Sequence, residues 1–309
     1  MITQRKTIAE IADLWKEDKR TFVKRSTYSA YMLILRNHLL PAFGSKTEIS
    51  EADVQAFALE KLDEGLCRRS VKDILTVLKM IVRYGARSGC FDRTDWEIRY
   101  PSERKKAALD VLSVTNHRKL LNHVRENFTF KNLGIYICLT GGLRIGEVCA
   151  LQWKDVDIEN GVLHVRKTVE RIYVIGDGRN YTELVVDQPK TRTSVREVPM
   201  PADLSRILKP LRKIVNPEFY LLTNDLHPTE PRTYRTYYKR LMKRLGMPPL
   251  RFHGLRHSFA TRCIESCCDY KTVSAILGHS SISTTLNLYV HPNIEQKKKC
   301  IDKMFRSIR

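Results

Sequence analysis

The sequence predicts a mainly α-helical protein with a small antiparallel β-sheet, organised as two domains: a helical bundle and a mixed α+β domain. Three observations support this prediction. The chain has 309 residues, more than a single hydrophobic core usually organises. Apolar residues recur at helical spacing through the first hundred residues, and from Asp155 the period changes to two over a limited stretch. Between these regions, residues 99–110 have no apolar period.

The first predicted domain, residues 1–98, contains four amphipathic helices, enough to close one small bundle. We predict that Pro41 and Gly44 end the second helix, and that Ser50 begins the third with Asp53 completing a capping box. The four apolar stripes are formed by Ile8, Ile11, Leu14 and Trp15; by Tyr28, Tyr31, Leu35 and Leu39; by Val54, Phe57, Ala58 and Leu62; and by Val71, Ile74, Leu75, Leu78, Ile81 and Val82.

Residues 99–110 are predicted to be an interdomain linker, because they combine a proline with a run of charges and lack apolar periodicity. A charge run of this kind is usually only solvated. In a chain as basic as this one, the run is also a candidate to lie along a phosphate backbone. Arg104, Lys105 and Lys106 are therefore candidate DNA-binding residues.

The second predicted domain, residues 111–309, begins with Ser113 as a helix N-cap. A buried helix around 133–140 is followed by a Gly-Gly break, and a new helix opens near Arg144. A β-hairpin is predicted over 156–165, with Asn-Gly as its turn. Further β structure is predicted as strands at 184–186 and 195–198, a turn at Lys190 and an exposed hairpin tip at 176–180. The helices predicted beyond residue 200 are 201–213, 231–245, 254–266, 270–278, 281–289 and 293–307.

Composition restricts the partners of the chain. Lys and Arg number 54 against 34 Asp and Glu, which gives a formal net charge of +20 and a pI near 9.7. An excess of this size points to a polyanion, most commonly nucleic acid, rather than to a membrane surface. No apolar run reaches the roughly 18 residues of a membrane span, and the N-terminus has no signal-peptide core. We expect a cytoplasmic protein with no membrane association.

Cysteines and carboxylates predict neither a metal site nor a cofactor. Cys138 and Cys149 sit in apolar stretches that are typical of core positions. Cys263, Cys267 and Cys268 cluster, but without the paired spacing of a zinc site. No cluster of carboxylates suited to Mg²⁺ stands out. We therefore expect reduced thiols, no bound metal and no cofactor.

Arg144 and Glu147 follow the Gly-Gly break. A phosphodiester under attack gains charge on its non-bridging oxygens, which guanidinium groups bind bidentately. Arg144 stands at the start of a helix, where unpaired amides also favour anions. In isolation, it would be taken for a surface arginine. Glu147 lies about one turn further on, and is predicted either to orient Arg144 or to be an exposed helix carboxylate.

Two histidines and a second arginine lie nearer the C-terminus. His253 and Arg256 are three residues apart and share a face if their segment is helical. His257 resembles the second ligand of a metal pair, but Gly254 stands where a zinc protease carries its general base, so we discount zinc hydrolysis. His279 follows a helix-ending glycine and is a candidate hydrogen-bond donor to a phosphate oxygen.

Tyr289 and Lys190 complete the candidate set. Most of the thirteen tyrosines would be packing residues, and only the place of Tyr289 after the arginine and histidine series singles it out. Lys190 lies in a basic turn between strands; such a turn is usually solvated, yet it could also deliver an ammonium to a leaving oxygen. The predicted helix 231–245 carries a basic stripe beside tyrosines, which fits a solvated face and a DNA-binding face equally well. Its candidate DNA-binding residues are Arg232, Arg235, Lys239, Arg240, Lys243 and Arg244.

Together these residues resemble the tyrosine recombinase family, which comprises phage and transposon integrases and their Xer-type relatives. The resemblance spans essentially the whole chain: residues 1–98 are similar to the helical, SAM-like core-binding domain and 111–309 to the catalytic domain. The insertion-like hairpin around 171–184 is a departure from the family pattern. The resemblance implies that the catalytic residues are Arg144, Lys190, His253, Arg256, His279 and the nucleophile Tyr289, supported by Glu147.

The resemblance implies a site-specific recombinase that integrates and excises a mobile element. Tyr289 would attack the scissile phosphate, forming a 3′-phosphotyrosyl link and releasing a 5′-hydroxyl. A hydroxyl from a partner strand would then reseal the DNA, so that neither ATP nor a metal is needed. The two arginines and His279 would stabilise the transition state, Lys190 would protonate the leaving oxygen, and His253 would assist proton transfer.

The resemblance also implies partners. Family members act as tetramers on two DNA sites, so we expect double-stranded DNA recombination sites, a homotetramer joined by exchange of the helix 293–307, and accessory DNA-bending or directionality factors. That helix carries an apolar stripe that could instead pack on its own domain; it comprises Ile294, Ile301, Met304 and Phe305. Because core-binding helices begin near residue 7, we expect no arm-binding domain. The expected setting is a bacterial cell, with the protein on the nucleoid when bound.

Two alternatives remain open at this point. The first is a type IB topoisomerase-like enzyme, which uses the same tyrosine chemistry but reseals the strand that it cut; tetramers on paired sites would distinguish the two. The second is a DNA-binding protein that does not cleave, against which the complete residue set argues. A metal-dependent nuclease is disfavoured, because no carboxylate cluster stands out.

Overall fold

The computed structural model describes residues 5–92, 95–102, 110–174, 181–189, 192–289 and 294–307. The chain divides into two compact units. Unit 1 comprises Met1–Lys106 and Ile172–Glu183, and unit 2 comprises Ala107–Arg171 and Leu184–Arg309. The predicted fold class, mainly α-helical with a small antiparallel β-sheet in two domains, is confirmed in its helical character and its small antiparallel β content. Among the described residues, no helix is both long enough and apolar enough to cross a membrane.

Unit 1 is built from helices that bury one apolar face each. Its elements are α1 (Ile8–Phe22), α2 (Arg25–Ile34), a π-helical turn (Leu35–Leu39), α3 (Leu40–Phe43), α4 (Glu51–Asp63) and α5 (Arg68–Arg87). Trp15 of α1, Leu39 of the π-helical turn and Ile81 of α5 are fully buried in the core of this unit. The capping box predicted at the start of α4 is present, since the backbone N–H of Asp53 donates to Ser50 Oγ at 3.1 Å.

Two sequence-based predictions in unit 1 are wrong. Leu14 does not join the apolar stripe of α1, because 45% of it is exposed to solvent. Pro41 does not end the second helix: the chain continues through the π-helical turn into α3, and the proline lies in the first turn of α3. The preceding turn is π-helical, with the Leu40 N–H donating to the Leu35 carbonyl five residues back, and this wider turn accommodates a residue that has no N–H. The helical path ends at Gly44, as predicted.

The segment Ile172–Glu183 belongs to unit 1 although it is distant in sequence from the rest of that unit. Its backbone and side chains contact α2. The backbone N–H of Tyr173 donates to Ser29 Oγ at 3.0 Å, and Arg25 pairs with Glu183 at 2.6 Å. The predicted boundaries place this segment in the catalytic domain, residues 111–309, rather than in the core-binding domain, residues 1–98; these boundaries stay a prediction.

Unit 2 contains the remaining helices, and their bounds lie within one residue of the prediction for every helix beyond residue 200. The helices are α6 (Val114–Glu126), α7 (Phe130–Gly141), α8 (Ile145–Ala150), α9 (Ala202–Arg212), α10 (Pro231–Arg244), α11 (His253–Glu265), α12 (Tyr270–Leu277), α13 (Ile282–Tyr289) and α14 (Ile294–Ser307). Ser113 caps α6, as predicted. Leu133, Ile137 and Trp153 are buried in the core of this unit, and so are Cys138 and Cys149, whose burial was expected from their apolar neighbours.

The β structure forms two sheets, whereas the sequence predicts one. The strands are β1 (Val156–Asp157), β2 (Val162–Val165), β3 (Thr168–Val174), β4 (Tyr181–Asp187) and β5 (Arg196–Pro199). The first sheet has the order β1-β2-β5 and is antiparallel, with Leu163 facing Val156 on one side and Val198 on the other. Gly161 adopts φ +64° in the predicted hairpin turn. Strands β3 and β4 pair separately, and the predicted tip at 176–180 lies outside the described residues.

Candidate active site

The Gly-Gly break after α7 brings Arg144 to the start of α8. Gly142 ends α7 with φ +65°, and a Cβ at this position would lie 2.5 Å from Phe259 Cδ1, so only glycine fits. Arg144 is the N-cap of α8. Glu147 accepts from the Arg144 backbone N–H at 2.8 Å and from its Nη1 at 2.8 Å. Glu147 is only 3% exposed, so its interpretation as an exposed helix carboxylate is wrong.

A second arginine, Arg196 of β5, binds the same carboxylate and is not among the residues predicted from the sequence. Its Nη1 and Nη2 donate to Glu147 Oε1 and Oε2 at 3.1 and 3.0 Å. Burial alone would raise the pKa of Glu147, but the hydrogen bonds and charge of Arg196, with the charge of Arg144, hold that pKa below its usual value. One signal could have found Arg196: in a strand with period two it shares the inward face with Val198.

Arg256 is buried among backbone carbonyls. It lies in the first turn of α11 and is 2% exposed. Its Nη1 donates to the carbonyl of Gly142 at 2.8 Å, and its Nη2 donates to the carbonyl of Leu277 at 2.7 Å. Arg256 therefore ties the end of α7 to the end of α12.

His279 lies directly after α12 and contacts α13. Its Nδ1 is 2.8 Å from Oγ1 of Thr285, a fully buried threonine that is not among the residues predicted from the sequence. Burial, together with the nearby charges of Arg256 and Arg144, lowers the pKa of His279 to about 4. This ring is therefore neutral at pH 7.

His253 is the first residue of α11, three residues before Arg256, so the two share a helix as predicted. Its ring meets the ring of His257 edge to face, with centroids 4.6 Å apart. Desolvation and the charges of His257, Arg256 and Arg144 lower the pKa of His253 to about 4. Within the described part of the chain, no group of three or more histidine, cysteine and carboxylate side chains is placed to hold a metal ion.

Two neighbouring cavities of unit 2 meet at Arg144. One, of about 400 Å³, is lined by Arg144, Glu147 and His279, and also by Pro189 and Ser194. The other, of about 710 Å³, is lined by residues that include Arg144, His253, Arg232 and Arg235. The structure thus brings Arg144, Glu147, His253 and His279 together around two adjoining cavities. Arg256 is buried and lines neither cavity, but its charge lowers the pKa of both histidines.

The remaining predicted site residues lie wholly or partly outside the described part of the structure. Lys190 and the linker residues Arg104, Lys105 and Lys106 lie outside the described residues. Tyr289 is the last residue of α13, one turn after Thr285, and its side chain is not among those described.

Helix α10 separates its basic residues from its tyrosines. The six basic candidates are all exposed. Tyr234 and Tyr238 are at most 1% exposed, and the Tyr234 hydroxyl donates to the carbonyl of Lys131 at 2.7 Å. The helix is therefore amphipathic: its basic stripe faces solvent, and Tyr234 and Tyr238 pack in the core.

The apolar stripe of α14 is exposed. Ile294 is 67%, Ile301 59%, Met304 47% and Phe305 54% exposed to solvent. The alternative prediction, that this stripe packs on its own domain, is not observed for these four side chains. Exposed apolar side chains along one helix are a common feature of surfaces that bind a partner.

Two family models match the chain: the phage integrase family matches residues 110–296, and the N-terminal SAM-like domain of phage integrases matches residues 7–62. The first match covers more than half of the chain. The chain belongs to the phage integrase family. The predicted resemblance to tyrosine recombinases is confirmed, and with it the class of enzyme, a site-specific recombinase.

The relatives and solved structures that resemble this integrase-family chain are also recombinases and integrases. It is 26% identical to a tyrosine recombinase XerC-like protein from Caldanaerobacter subterraneus subsp. tengcongensis, over 96% of this chain and 82% of that protein. It is 27% identical to the ICEBs1 integrase of Bacillus subtilis, over 91% and 78%. The Tn1549 transposon integrase in complex with transposon right end DNA has the same fold, with a TM-score of 0.76, 22% identity, and coverage of 97% of this chain and 99% of that one. A lambda integrase dimer bound to a core site gives a TM-score of 0.66 at 17% identity, over 92% and 96%.

Proposed function

We propose that this protein recombines double-stranded DNA at specific sites, through a 3′-phosphotyrosyl intermediate on Tyr289, to integrate and excise a mobile element. The observation that carries the proposal is that Arg144 and His279, distant in sequence, line one cavity of about 400 Å³. Arg256 acts electrostatically on the His279 ring of that cavity. Two guanidinium groups and a neutral imidazole form a site suited to a phosphodiester whose oxygens gain charge.

Arg144 is the group best placed to bind the scissile phosphate. Its side chain is 37% exposed, whereas Arg256 is 2% exposed and hydrogen bonds to backbone carbonyls. Arg144 therefore contacts the non-bridging oxygens, and Arg256 adds positive charge from behind.

His279 donates to the phosphate as a neutral ring. If the Thr285 hydroxyl donates to Nδ1, the ring proton is on Nε2, which is then free to donate to a non-bridging oxygen. With its pKa lowered to about 4, His279 keeps this role throughout the neutral range. His253, with a similarly lowered pKa, accepts and returns a proton near the nucleophile.

Tyr289 is the nucleophile, and its hydroxyl must lose a proton to attack. An unperturbed tyrosine has a pKa near 10, so activation requires a base or a positive field. Arg144 and Arg256 supply guanidinium charge for this activation, whereas the charge of Arg196 is paired with the buried carboxylate of Glu147. As the bond between the tyrosine oxygen and phosphorus forms, the bond between phosphorus and the 5′ oxygen breaks, and the 3′ phosphate stays on the enzyme.

Lys190 protonates the leaving 5′ oxygen. Its neighbour Pro189 and the nearby Ser194 both line the cavity that holds Arg144 and His279. The segment between β4 and β5 therefore starts and ends at the site, which supports delivery of an ammonium from it. Because the phosphotyrosyl bond conserves the energy of the phosphodiester, strand exchange proceeds without ATP, and because lysine and arginine carry the charge, it proceeds without a metal.

Basic surfaces hold the DNA duplex. The exposed side chains of α10 include Arg232 and Arg235, which line the cavity shared with Arg144 and His253. Phosphate contacts of this kind give affinity and orientation. Unit 1 acts as the core-binding domain, and Arg104, Lys105 and Lys106 of the 99–110 linker add phosphate contacts along the duplex.

The active assembly is a homotetramer on two DNA sites, in which α14 is exchanged between protomers. The exposure of Ile294 and Ile301 supports this role, because a docked helix would bury them. Accessory DNA-bending or directionality factors would select integration or excision.

A plasmid carrying two copies of the element's junction sequence tests this proposal. In buffer with EDTA and without nucleotide, wild-type protein should yield recombinant products, and Tyr289→Phe should yield none. Relaxation of the plasmid without recombinants would instead indicate a topoisomerase-like activity. Binding without either product would indicate a DNA-binding protein that does not cleave.

A further inference from the structure

We propose that Arg196 is a positioning residue that sets the spacing between Arg144 and His279 without touching DNA. This inference rests on the function proposed above and deepens it, because it assigns a role to a residue that the phosphate-binding chemistry does not require. Arg196 lies on β5, whereas Arg144 lies before α8 and His279 after α12. Arg196 hydrogen bonds to Glu147 of α8 and to the carbonyl of Ile276 in α12.

Three consecutive backbone carbonyls at the end of α12 each accept a hydrogen bond from a different arginine. Ile276 accepts from Arg196 Nε, Leu277 accepts from Arg256 Nη2 at 2.7 Å, and Gly278 accepts from Arg144 Nη2 at 3.4 Å. The last carbonyls of a helix have no partner within the helix and carry partial negative charge. The end of α12 therefore orders three guanidinium groups in a row, and His279 is the next residue along the chain.

Arg196 also reaches Arg144 by a second route. Its two Nη atoms grip both carboxylate oxygens of Glu147, and Glu147 in turn holds the backbone and the guanidinium of Arg144. A planar fork that binds a carboxylate with two parallel hydrogen bonds fixes its orientation as well as its position. Arg196 thus fixes Arg144 through Glu147 and fixes the His279 segment through Ile276.

The remaining contacts of Arg196 exclude it from phosphate binding. Its side chain is 6% exposed, against 37% for Arg144. Nε donates to Ile276, Nη1 to Glu147 and to the carbonyl of Ser194, and Nη2 to Glu147, so four of its five N–H groups bind protein atoms. Gly278 packs closely against the Arg196 side chain, because a Cβ at position 278 would lie 3.0 Å from Arg196 Cδ. Its donors therefore serve the protein and leave the phosphate to Arg144.

A gain in stability does not by itself explain this buried pair. Removing two charges from water is costly, and a well-packed apolar pair of similar volume is often equally stable. What an apolar pair cannot provide is a fixed direction for Arg144 and for the carbonyls next to His279. A lysine at 196 keeps the charge, but as a point donor on a flexible stem it cannot bind a carboxylate and two carbonyls in one plane.

Arg196→Lys tests this role against a structural one. The control is Leu208→Ala, which creates a cavity at a fully buried site of α9 and destabilises the same unit away from the active site. For each variant we would measure thermal unfolding, the affinity for a half-site duplex, and the single-turnover rate of adduct formation per folded molecule. We expect Arg196→Lys to bind DNA within about twofold of wild type and to react about tenfold more slowly or worse, because misplacement of catalytic groups costs rate rather than binding. Leu208→Ala should react at the wild-type rate per folded molecule.

A rate for Arg196→Lys equal to that of Leu208→Ala would overturn the inference. If Arg196→Lys does not fold, Glu147→Gln takes its place, because the amide nitrogen cannot accept from an arginine and so breaks the same link. The two substitutions combined should slow the reaction no more than the worse of the two alone, and additive losses would contradict a shared pathway. If wild-type protein forms no adduct, the proposed function itself fails; if wild type and Arg196→Lys react equally, only this inference fails.

Discussion

His279 and Thr285 are joined by a hydrogen bond of 2.8 Å between Nδ1 and Oγ1. The threonine is fully buried on α13, the helix that ends at Tyr289. One hydrogen bond therefore orients the imidazole and anchors the helix that carries the proposed nucleophile. The hydrogen bond thus links the position of the His279 ring to that of Tyr289, two groups that the proposed reaction must keep correctly positioned relative to each other.

Thr285→Val removes that hydrogen bond while keeping the shape of the side chain. We expect a loss of stability of about 1–2 kcal/mol, because the partly buried imidazole nitrogen loses its partner. Adduct formation should slow by roughly 10–100-fold, because both the ring and the helix lose orientation. Urea unfolding and single-turnover assays measure the two effects. Ser283→Ala, at an exposed position of the same helix, is the control and should change neither quantity.

Gly278→Ala tests the close packing of Gly278 against Arg196, and Gly161→Ala is its matched control. Both glycines have φ near +65°, but a Cβ at Gly161 meets nothing within 4 Å, whereas at Gly278 it meets Arg196 and the carbonyl of Thr193 at 3.0 Å. The backbone strain alone should cost about 1 kcal/mol at Gly161. We expect Gly278→Ala to cost roughly 1–3 kcal/mol more, with loss of adduct formation. Equal free energies of unfolding for the two variants would show that the contact with Arg196 is unimportant.

The lowered histidine pKa values predict how stability depends on pH. His253 and His279 titrate near 4 in the folded protein, below the value of about 6.5 for an unfolded histidine. Between these values the unfolded chain binds more protons, so stability is fully present above about pH 6.5 and is lost as the pH falls towards 4. His279→Asn should make the free energy of unfolding depend less steeply on pH in this window. An unchanged slope in urea titrations from pH 4 to 7 would contradict a lowered pKa of His279 in the folded protein.

Lys239→Ala tests DNA binding by α10. The exposed ammonium should neutralise one phosphate, so its loss should weaken binding similarly for specific and random duplexes and reduce the salt slope by about one. Arg206→Ala, at a 78% exposed position of α9, removes a like charge from another helix and should leave the slope unchanged. Fluorescence anisotropy over a salt series measures both slopes. If the two variants change the slope equally, only the net charge of the chain matters.

The sequence predicted the parts of the site that depend on local spacing. His253 and Arg256 share one helix turn, and Arg144 follows a Gly-Gly break that only glycine can make, so both patterns are visible without a fold. Arg196 escaped because its partner, Glu147, lies 49 residues away in sequence. Thr285 escaped because its burial depends on how α12 and α13 pack.

Local sequence patterns gave a wrong or an undecided prediction where tertiary packing determines the structure. Pro41 is a strong signal for a helix end, yet the helical path continues through the π-helical turn before it. That turn also buries Leu39 in the core. On α10, tyrosines interleaved with basic residues look alike in sequence whether they face solvent or the core. Burial of Tyr234 and Tyr238 decided that question.

The most direct test of the account is a nicked suicide duplex that carries the element's junction sequence. Wild type, Tyr289→Phe and the matched control Tyr270→Phe, at an exposed position of α12, would be incubated with it in EDTA and resolved on a denaturing gel. The account predicts a covalent protein–DNA adduct with wild type and with Tyr270→Phe, and none with Tyr289→Phe. An adduct that persists in Tyr289→Phe, or cleavage that EDTA abolishes and that leaves no adduct, would contradict it.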